Sequence, residues 1–331
     1  MKKQEVRLKE IILRGKKLHL PAFFPDATYG HIISLNSKNI EKTKVDGVVV
    51  NIYHLLKHNL IKEIERKGGI HKYMKLNLPI ISDSGGFQVF SLIHKNKELG
   101  KINDYGATFL LDNKKIILTP ESCIQLQLKI GSDIIMCLDD CRHAEDKEQE
   151  KSVERTINWA RRCKSEFAKL TAKMKEKPLL FAIVQGGENK KLRKYCTQEL
   201  VKIGFDGYAY GGWPMNKGKL LKEILKYTSS LMPEGLKYAM GVGKPKDIIS
   251  CVRFGYNLFD CVIPTRDARH KRLFIWHKNK IIEVNVRKKN FKIKGIKKLY
   301  ALFKTNSGEA RKLATMNNLT VYSKLMKSFR R

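Results

Sequence analysis

Leu78-Pro79-Ile80-Ile81-Ser82-Asp83-Ser84-Gly85-Gly86 sets the pattern from which the fold is read: a short apolar run ends in a carboxylate, and a Gly-rich turn follows at once. The same design returns at Asp133-Ile134-Ile135-Met136-Cys137-Leu138-Asp139-Asp140, at Leu180-Phe181-Ala182-Ile183-Val184-Gln185-Gly186-Gly187 and at Gly207-Tyr208-Ala209-Tyr210-Gly211-Gly212. It appears twice more, at Tyr238-Ala239-Met240-Gly241-Val242-Gly243 and at Leu258-Phe259-Asp260-Cys261. Apolar runs this short and continuous suit strands buried on both faces, and each gap between them has room for a crossover helix. Repeated strand–helix units predict an α/β fold, a (β/α)8 TIM barrel whose strand C-termini converge on one mouth. Asp83, Asp139, Gln185 and Asp260 are then expected to share one pocket, as in an enzyme.

The flanking sequence fits that frame. Residues 19–26 read as an entering strand and residues 46–51 as the next, with β-branched residues after a turn. A helical period over Leu55–Lys67 stops at Gly68-Gly69, and Thr119-Pro120-Glu121 opens a helix that runs to Ile130. Further helices are predicted over Arg155–Lys175 and Lys219–Leu231. We assign residues 1–270 to the catalytic barrel and residues 271–331 to a small basic C-terminal helical subdomain. In the latter, strand-like stretches at 273–276 and 281–286 precede amphipathic helices near 297–304 and 318–329.

Charge points to the partner. The formal net charge is +34, and residues 271–331 hold 18 Lys and Arg against two acids, so +16 of it sits in the tail. Such an excess suits a polyanion, because each neutralised phosphate releases counterions; a lysine-rich solvated surface is the plainer alternative. No apolar stretch approaches the roughly 20 residues of a spanning helix, so no membrane partner is expected. The N-terminus lacks the apolar segment of a secretory signal. Seven dispersed cysteines, none in a Cys-x-x-Cys pair, read as reduced thiols of a cytoplasmic protein without a structural zinc.

Each motif carries a chemical and a structural reading. Asp83 before Gly85-Gly86-Phe87 offers a carboxylate, a turn that lets a planar ligand approach the backbone, and a ring to stack on it; it could equally cap the next helix. Asp139-Asp140 sets two carboxylates at a strand end, where caps and ion pairs are also common. The amide of Gln185 donates and accepts at once, which suits a nucleobase edge. Asp260, beside the Pro-restricted basic turn Val262-Ile263-Pro264-Thr265-Arg266, is the candidate nucleophile for a sugar C1′. A second carboxylate about 5 Å away would make a retaining double displacement.

Taken together these segments resemble the tRNA-guanine transglycosylase (queuine tRNA-ribosyltransferase) family in its bacterial and eukaryotic branch. The likeness includes Asn51-Ile52-Tyr53-His54-Leu55-Leu56, Gly68-Gly69-Ile70-His71-Lys72, residues 82–91, Gly131-Ser132-Asp133-Ile134-Ile135-Met136, Met240-Gly241-Val242-Gly243-Lys244-Pro245 and residues 259–266. It implies a pentosyltransferase that exchanges guanine at the anticodon wobble position for a 7-deazaguanine base, using no nucleotide or redox cofactor. Asp260 matches the nucleophile of a covalent ribosyl intermediate, and Asp83 the general acid/base. Asp139, Gln185 and Gly212 match the readers of the base edge, with Phe87 and Met240 sandwiching the ring. Gly241, Lys244, Asp247, Thr265, Arg266 and Arg269 fall in the segments matched to tRNA contact. The family also implies a homodimer.

Three departures qualify the match. Where the family's zinc-binding Cys-x-Cys-x-x-Cys cluster should fall, this chain has Val286-Arg287-Lys288-Lys289-Asn290, and it has no cysteine after Cys261. The loop Trp213-Pro214-Met215-Asn216-Lys217 replaces smaller residues and an acid, which predicts a narrower pocket suited to a compact base such as 7-aminomethyl-7-deazaguanine. His270-Lys271 replaces an Asn-Gly pair. Two other readings share these features: a non-catalytic tRNA-binding partner subunit, and a transglycosylase acting on DNA.

Overall fold

The computed structural model describes residues 8–278, 280–287, 296–305 and 308–330. Eight parallel strands form the centre: β1 (Ala22–Pro25), β2 (Val48–Asn51), β3 (Ile80–Asp83), β4 (Ile134–Met136), β5 (Leu179–Val184), β6 (Gly207–Tyr210), β7 (Leu236–Ala239) and β8 (Leu258–Cys261). Their hydrogen-bonded order runs β1-β8-β7-β6-β5-β4-β3-β2. Asp26 pairs with Val49, and Ala27 N donates to Val49 O at 2.7 Å, so the remaining gap between β1 and β2 is bridged. This is the TIM barrel that the recurring strand ends predict.

Phe24, Val49, Ile81, Met136, Phe181, Ile183, Leu236 and Leu258 fill the barrel interior from successive strands. Burying these side chains away from water is the main force holding the strands in register. Leu13, Leu18 and Leu20, from the hairpin that precedes β1, join the same cluster and plug the floor. Crossover helices cover the outside, among them Pro120–Ile130, Gln149–Thr171, Lys190–Ile203 and Lys222–Leu231. Thr119 caps the first of these by accepting from Ser122 N, with Pro120 in its first turn.

Local details differ from the sequence expectation. The helix expected over 55–67 is two short helices, Ile52–Lys57 and Ile61–Arg66, broken where Asn59 takes a left-handed conformation (φ 54°). A three-stranded antiparallel sheet (Gly100–Ile102, Ala107–Leu111, Lys114–Leu118) sits between β3 and β4 in sequence. After the barrel, Arg272–His277 and Lys280–Asn285 form a hairpin, followed by helices Ile296–Lys304 and Gly308–Ser328. The last helix packs back on the barrel: Tyr322 lies 4.6 Å from Phe23 between ring centroids and donates to Gly243 O at 2.5 Å. Asn318 donates to Pro264 O at 2.9 Å, and Ser323 to Thr43 O at 2.8 Å. The loops after β7 and β8 are thus held from behind. Residues 288–295, the core of the expected zinc segment, lie outside the described residues.

Candidate active site

The strand C-termini surround a cavity of about 410 Å³. Among the residues singled out from the sequence, Asp83, Phe87, Asp139, Gly212, Met240, Gly241, Lys244, Asp247, Asp260 and Arg266 line it. Gln185, Thr265 and Arg269 do not; they stand behind the wall and act on side chains that do.

Asp260 ends β8. Its Oδ1 accepts from Gly241 N at 2.9 Å, a contact made by a turn in which Gly241 adopts φ 71°. Burial pushes its carboxyl up, opposed by the Gly241 N–H and by the Tyr238 hydroxyl. Asp83 ends β3 and accepts from Asn51 Nδ2 at 2.5 Å; the same amide donates to Gln88 Oε1 at 3.0 Å, which fixes its orientation. Burial, and then the charge of Asp260, raise Asp83 to about 6 against donations from the Gly85, Asn51 and Ser84 groups. The two carboxylates therefore sense each other across one cavity, and one of them is poised to hold a proton near neutrality.

Asp139 ends the segment after β4. Burial and the charge of Asp83 raise it to about 7, although Gln185 Nε2 donates to its Oδ2 at 2.6 Å. Gln185 Oε1 is buried without a hydrogen-bond partner among the described residues. Gln185 fixes the Asp139 carboxylate from behind the wall, and Asp139 is the group that meets the cavity. A Cβ on Gly86 would fall 2.8 Å from Asp139 Oδ1, and one on Gly211 would fall 2.6 Å from Gln185 Nε2, so both backbones need glycine there. Asp140 turns the other way: it is fully buried and takes Arg155 Nη1 at 2.5 Å and Arg142 Nε at 3.3 Å. The adjacent pair thus splits into one carboxylate in the cavity and one that anchors the strand end.

Phe87 also lines the cavity, and its ring stacks on Trp213 with centroids 5.4 Å apart and planes at 24°. Trp213 is half exposed, so this stack covers the pocket from the solvent side. Pro214, Met215 and Leu220 continue that wall. Lys217 sits exposed in the turn between two short antiparallel strands, Met215–Asn216 and Lys219–Leu220, and does not line the cavity; Asn216 beside it donates to Glu145 and Glu188 at 2.9 and 2.8 Å. The changed loop therefore acts on the pocket through Trp213 and Met215 rather than through the new lysine.

At the rim Lys244 and Arg266 are exposed, while Asp247 is buried and its carboxyl is pushed up by that burial against Lys246 and Lys244. Thr265 donates its hydroxyl to Asp26. Arg269 Nη1 is buried without a hydrogen-bond partner among the described residues. Asp26 itself lines the cavity and was missed as a site residue in the sequence; burial raises it to about 7 against Thr265 and Arg269, with the charge of Asp260 adding to the rise. Its signal was present, since Phe23-Phe24-Pro25-Asp26 follows the same apolar-run-then-acid grammar. Asn51 and Tyr238 were also missed as functional groups, and their contacts join residues far apart in the chain.

This arrangement suits transfer at a sugar carbon: two carboxylates at one cavity, a flat slot and a polar edge. Residues 3–331 match the family model described as queuine tRNA-ribosyltransferase. Among similar proteins, a queuine tRNA-ribosyltransferase of Idiomarina loihiensis is 37% identical over 328 residues, covering 94% of this chain and 85% of its own. One of Methylacidiphilum infernorum is 37% identical over 350 residues, covering 98% and 90% respectively. One of Acinetobacter baumannii is 39% identical over 261 residues, covering 77% and 67%.

Proposed function

The chain belongs to the queuine tRNA-ribosyltransferase family of glycosyltransferases, and we propose that it exchanges guanine at the anticodon wobble position of tRNA for a 7-deazaguanine base by double displacement. The observation that carries this reading is the shared cavity of Asp83 and Asp260, close enough for the charge of one to raise the other. Asp260 attacks C1′ and forms a ribosyl ester as the C1′–N9 bond of guanine breaks. Asp83 gives its proton to the leaving base. The incoming base returns a proton to Asp83 and attacks C1′, which frees Asp260 and restores the original configuration. Asp139, held from behind by Gln185, and the Gly212 backbone read the base edge, and Phe87 and Met240 hold the ring, with the Phe87–Trp213 stack opening to admit it. Lys244 and Arg266 at the rim engage the phosphates of a splayed anticodon loop, supported by Gly241, Asp247, Thr265 and Arg269.

Trp213 and Met215 on the wall favour a compact base such as 7-aminomethyl-7-deazaguanine; faster incorporation of queuine in parallel assays would refute this. Because no cysteine follows Cys261, we read the C-terminal segment as holding its fold without zinc, and stoichiometric zinc in the purified protein would contradict that. No described helix is long and apolar enough to cross a membrane, and reduced thiols and a tRNA substrate suit the cytoplasm. Incubation with total tRNA and labelled guanine tests the reaction itself: label should enter tRNA in the presence of the protein, and no uptake would overturn the proposed activity.

A further inference from the structure

We infer that Asp26 reads the ribose 2′-hydroxyl of the reacting nucleotide and so makes the exchange selective for RNA. The inference rests on the proposed reaction and adds to it a residue to which that reaction assigns no part.

Asp26 follows β1, the immediate neighbour of β8, with Pro25 paired to Cys261 in the parallel register. It lines the same cavity as Asp260, and the two carboxylates interact electrostatically. The groups suited to hold the base sit elsewhere around the mouth: Asp139 after β4, with Gln185 after β5 behind it, Gly212 after β6 and Met240 after β7. Around the barrel, the positions from β8 through β1 to β2 are therefore left for the sugar.

The chemistry of a β-ribonucleoside fixes which group arrives there. The base and the 2′-hydroxyl lie on opposite faces of the ribose ring. A nucleophile that displaces the base in line must approach C1′ from the face carrying the 2′-hydroxyl. Asp260 approaching C1′ thus brings that hydroxyl alongside it, where the adjacent strand presents Asp26. Thr265 already donates to one oxygen of Asp26, but a carboxylate accepts several hydrogen bonds, so capacity for a further donor is left. Bonds to the hydroxyl next to the reacting carbon strengthen as the oxocarbenium-like transition state forms, and the 2′-hydroxyl is the group that separates RNA from DNA.

The test uses two anticodon stem-loop RNAs that differ only in 2′-H for 2′-OH at the reacting guanosine, with labelled-guanine exchange as the readout. The unmodified protein should favour the ribo substrate by about 10- to 100-fold in kcat/KM, as expected for a buried hydrogen bond to a charged group. Asp26→Ala should lose most of that factor on the ribo substrate while changing the deoxy substrate by less than about 3-fold, so that the ratio collapses. Asp26→Asn keeps the size and an acceptor for Thr265, and should retain an intermediate ratio. Equal losses on both substrates would assign Asp26 a structural role only and overturn the inference. So would an unmodified protein indifferent to the 2′ group. Absence of exchange on both substrates would instead overturn the proposed reaction on which the inference stands.

Discussion

Asp133, fully buried at the floor of the barrel, and the four aspartates at its mouth, of which Asp139 is buried and the others partly so, are compensated in opposite ways. Asp133 accepts from Lys16 Nζ at 2.8 Å, His71 Nε2 at 2.9 Å and Ile80 N at 2.9 Å. Burial works to raise its carboxyl, yet these partners outweigh it and hold Asp133 below the ordinary carboxylate range. At the mouth, Asp26, Asp83, Asp139 and Asp260 are all pushed up, to about 7, 6 and 7 for the first three. Their partners are mainly amides, hydroxyls and backbone N–H groups, which orient a carboxylate without cancelling its charge. The floor spends its acid on holding the fold. The mouth keeps its acids available for substrate, and the strain of that choice appears as raised pKa values.

Substitutions should expose this contrast, and the largest effect belongs to Asp83→Asn. It removes the proton shuttle but keeps an acceptor for Asn51, so labelled-guanine exchange should fall by about 10³-fold with thermal stability preserved. An equal loss of stability and activity would make Asp83 a structural acid like Asp133. At the floor the pattern should invert. Asp133→Asn leaves Lys16 without its counter-charge and His71 without its carboxylate partner, and should cost about 3 kcal/mol in denaturant unfolding, with exchange per folded molecule unchanged.

The smallest of these effects concerns pH. For Asp139 the folded pKa of about 7 lies above the unfolded value, so the native state binds the extra proton between them. Stability from this group is therefore present at low pH and lost as pH rises from about 4 to about 7. Asp139→Asn removes that loss, so its stability relative to the parent should grow as pH rises across this window. A gap that shrinks with rising pH would mean that Asp139 is compensated like the floor acid.

The sequence made the barrel legible because six strand ends repeat one pattern, and buried parallel strands leave no alternation to confuse it. Asp26 escaped notice although its strand obeys the same grammar, because its importance lies in the paired strand β8, far away in the chain, rather than in its own sequence neighbours. The antiparallel sheet at 100–118 was missed for a local reason: its tightest turn is Asp112-Asn113, both at positive φ, without the glycine that usually signals such a hairpin. The Phe87–Trp213 stack joins residues over a hundred positions apart and has no sequence periodicity to betray it. Likewise, nothing local distinguishes Asp139 from Asp140; the cations Arg142 and Arg155, placed by packing, decide which one turns inward. The terminal helix also began earlier than its amphipathic pattern suggested, at Gly308.

The most direct test of a nucleophilic Asp260 is denaturing electrophoresis of the protein mixed with tRNA and with a base analogue that stalls the second displacement. A denaturation-resistant protein–RNA adduct should form with the parent chain and vanish in Asp260→Asn, with noncovalent tRNA binding kept within several-fold. An adduct that persists in Asp260→Asn would contradict the account.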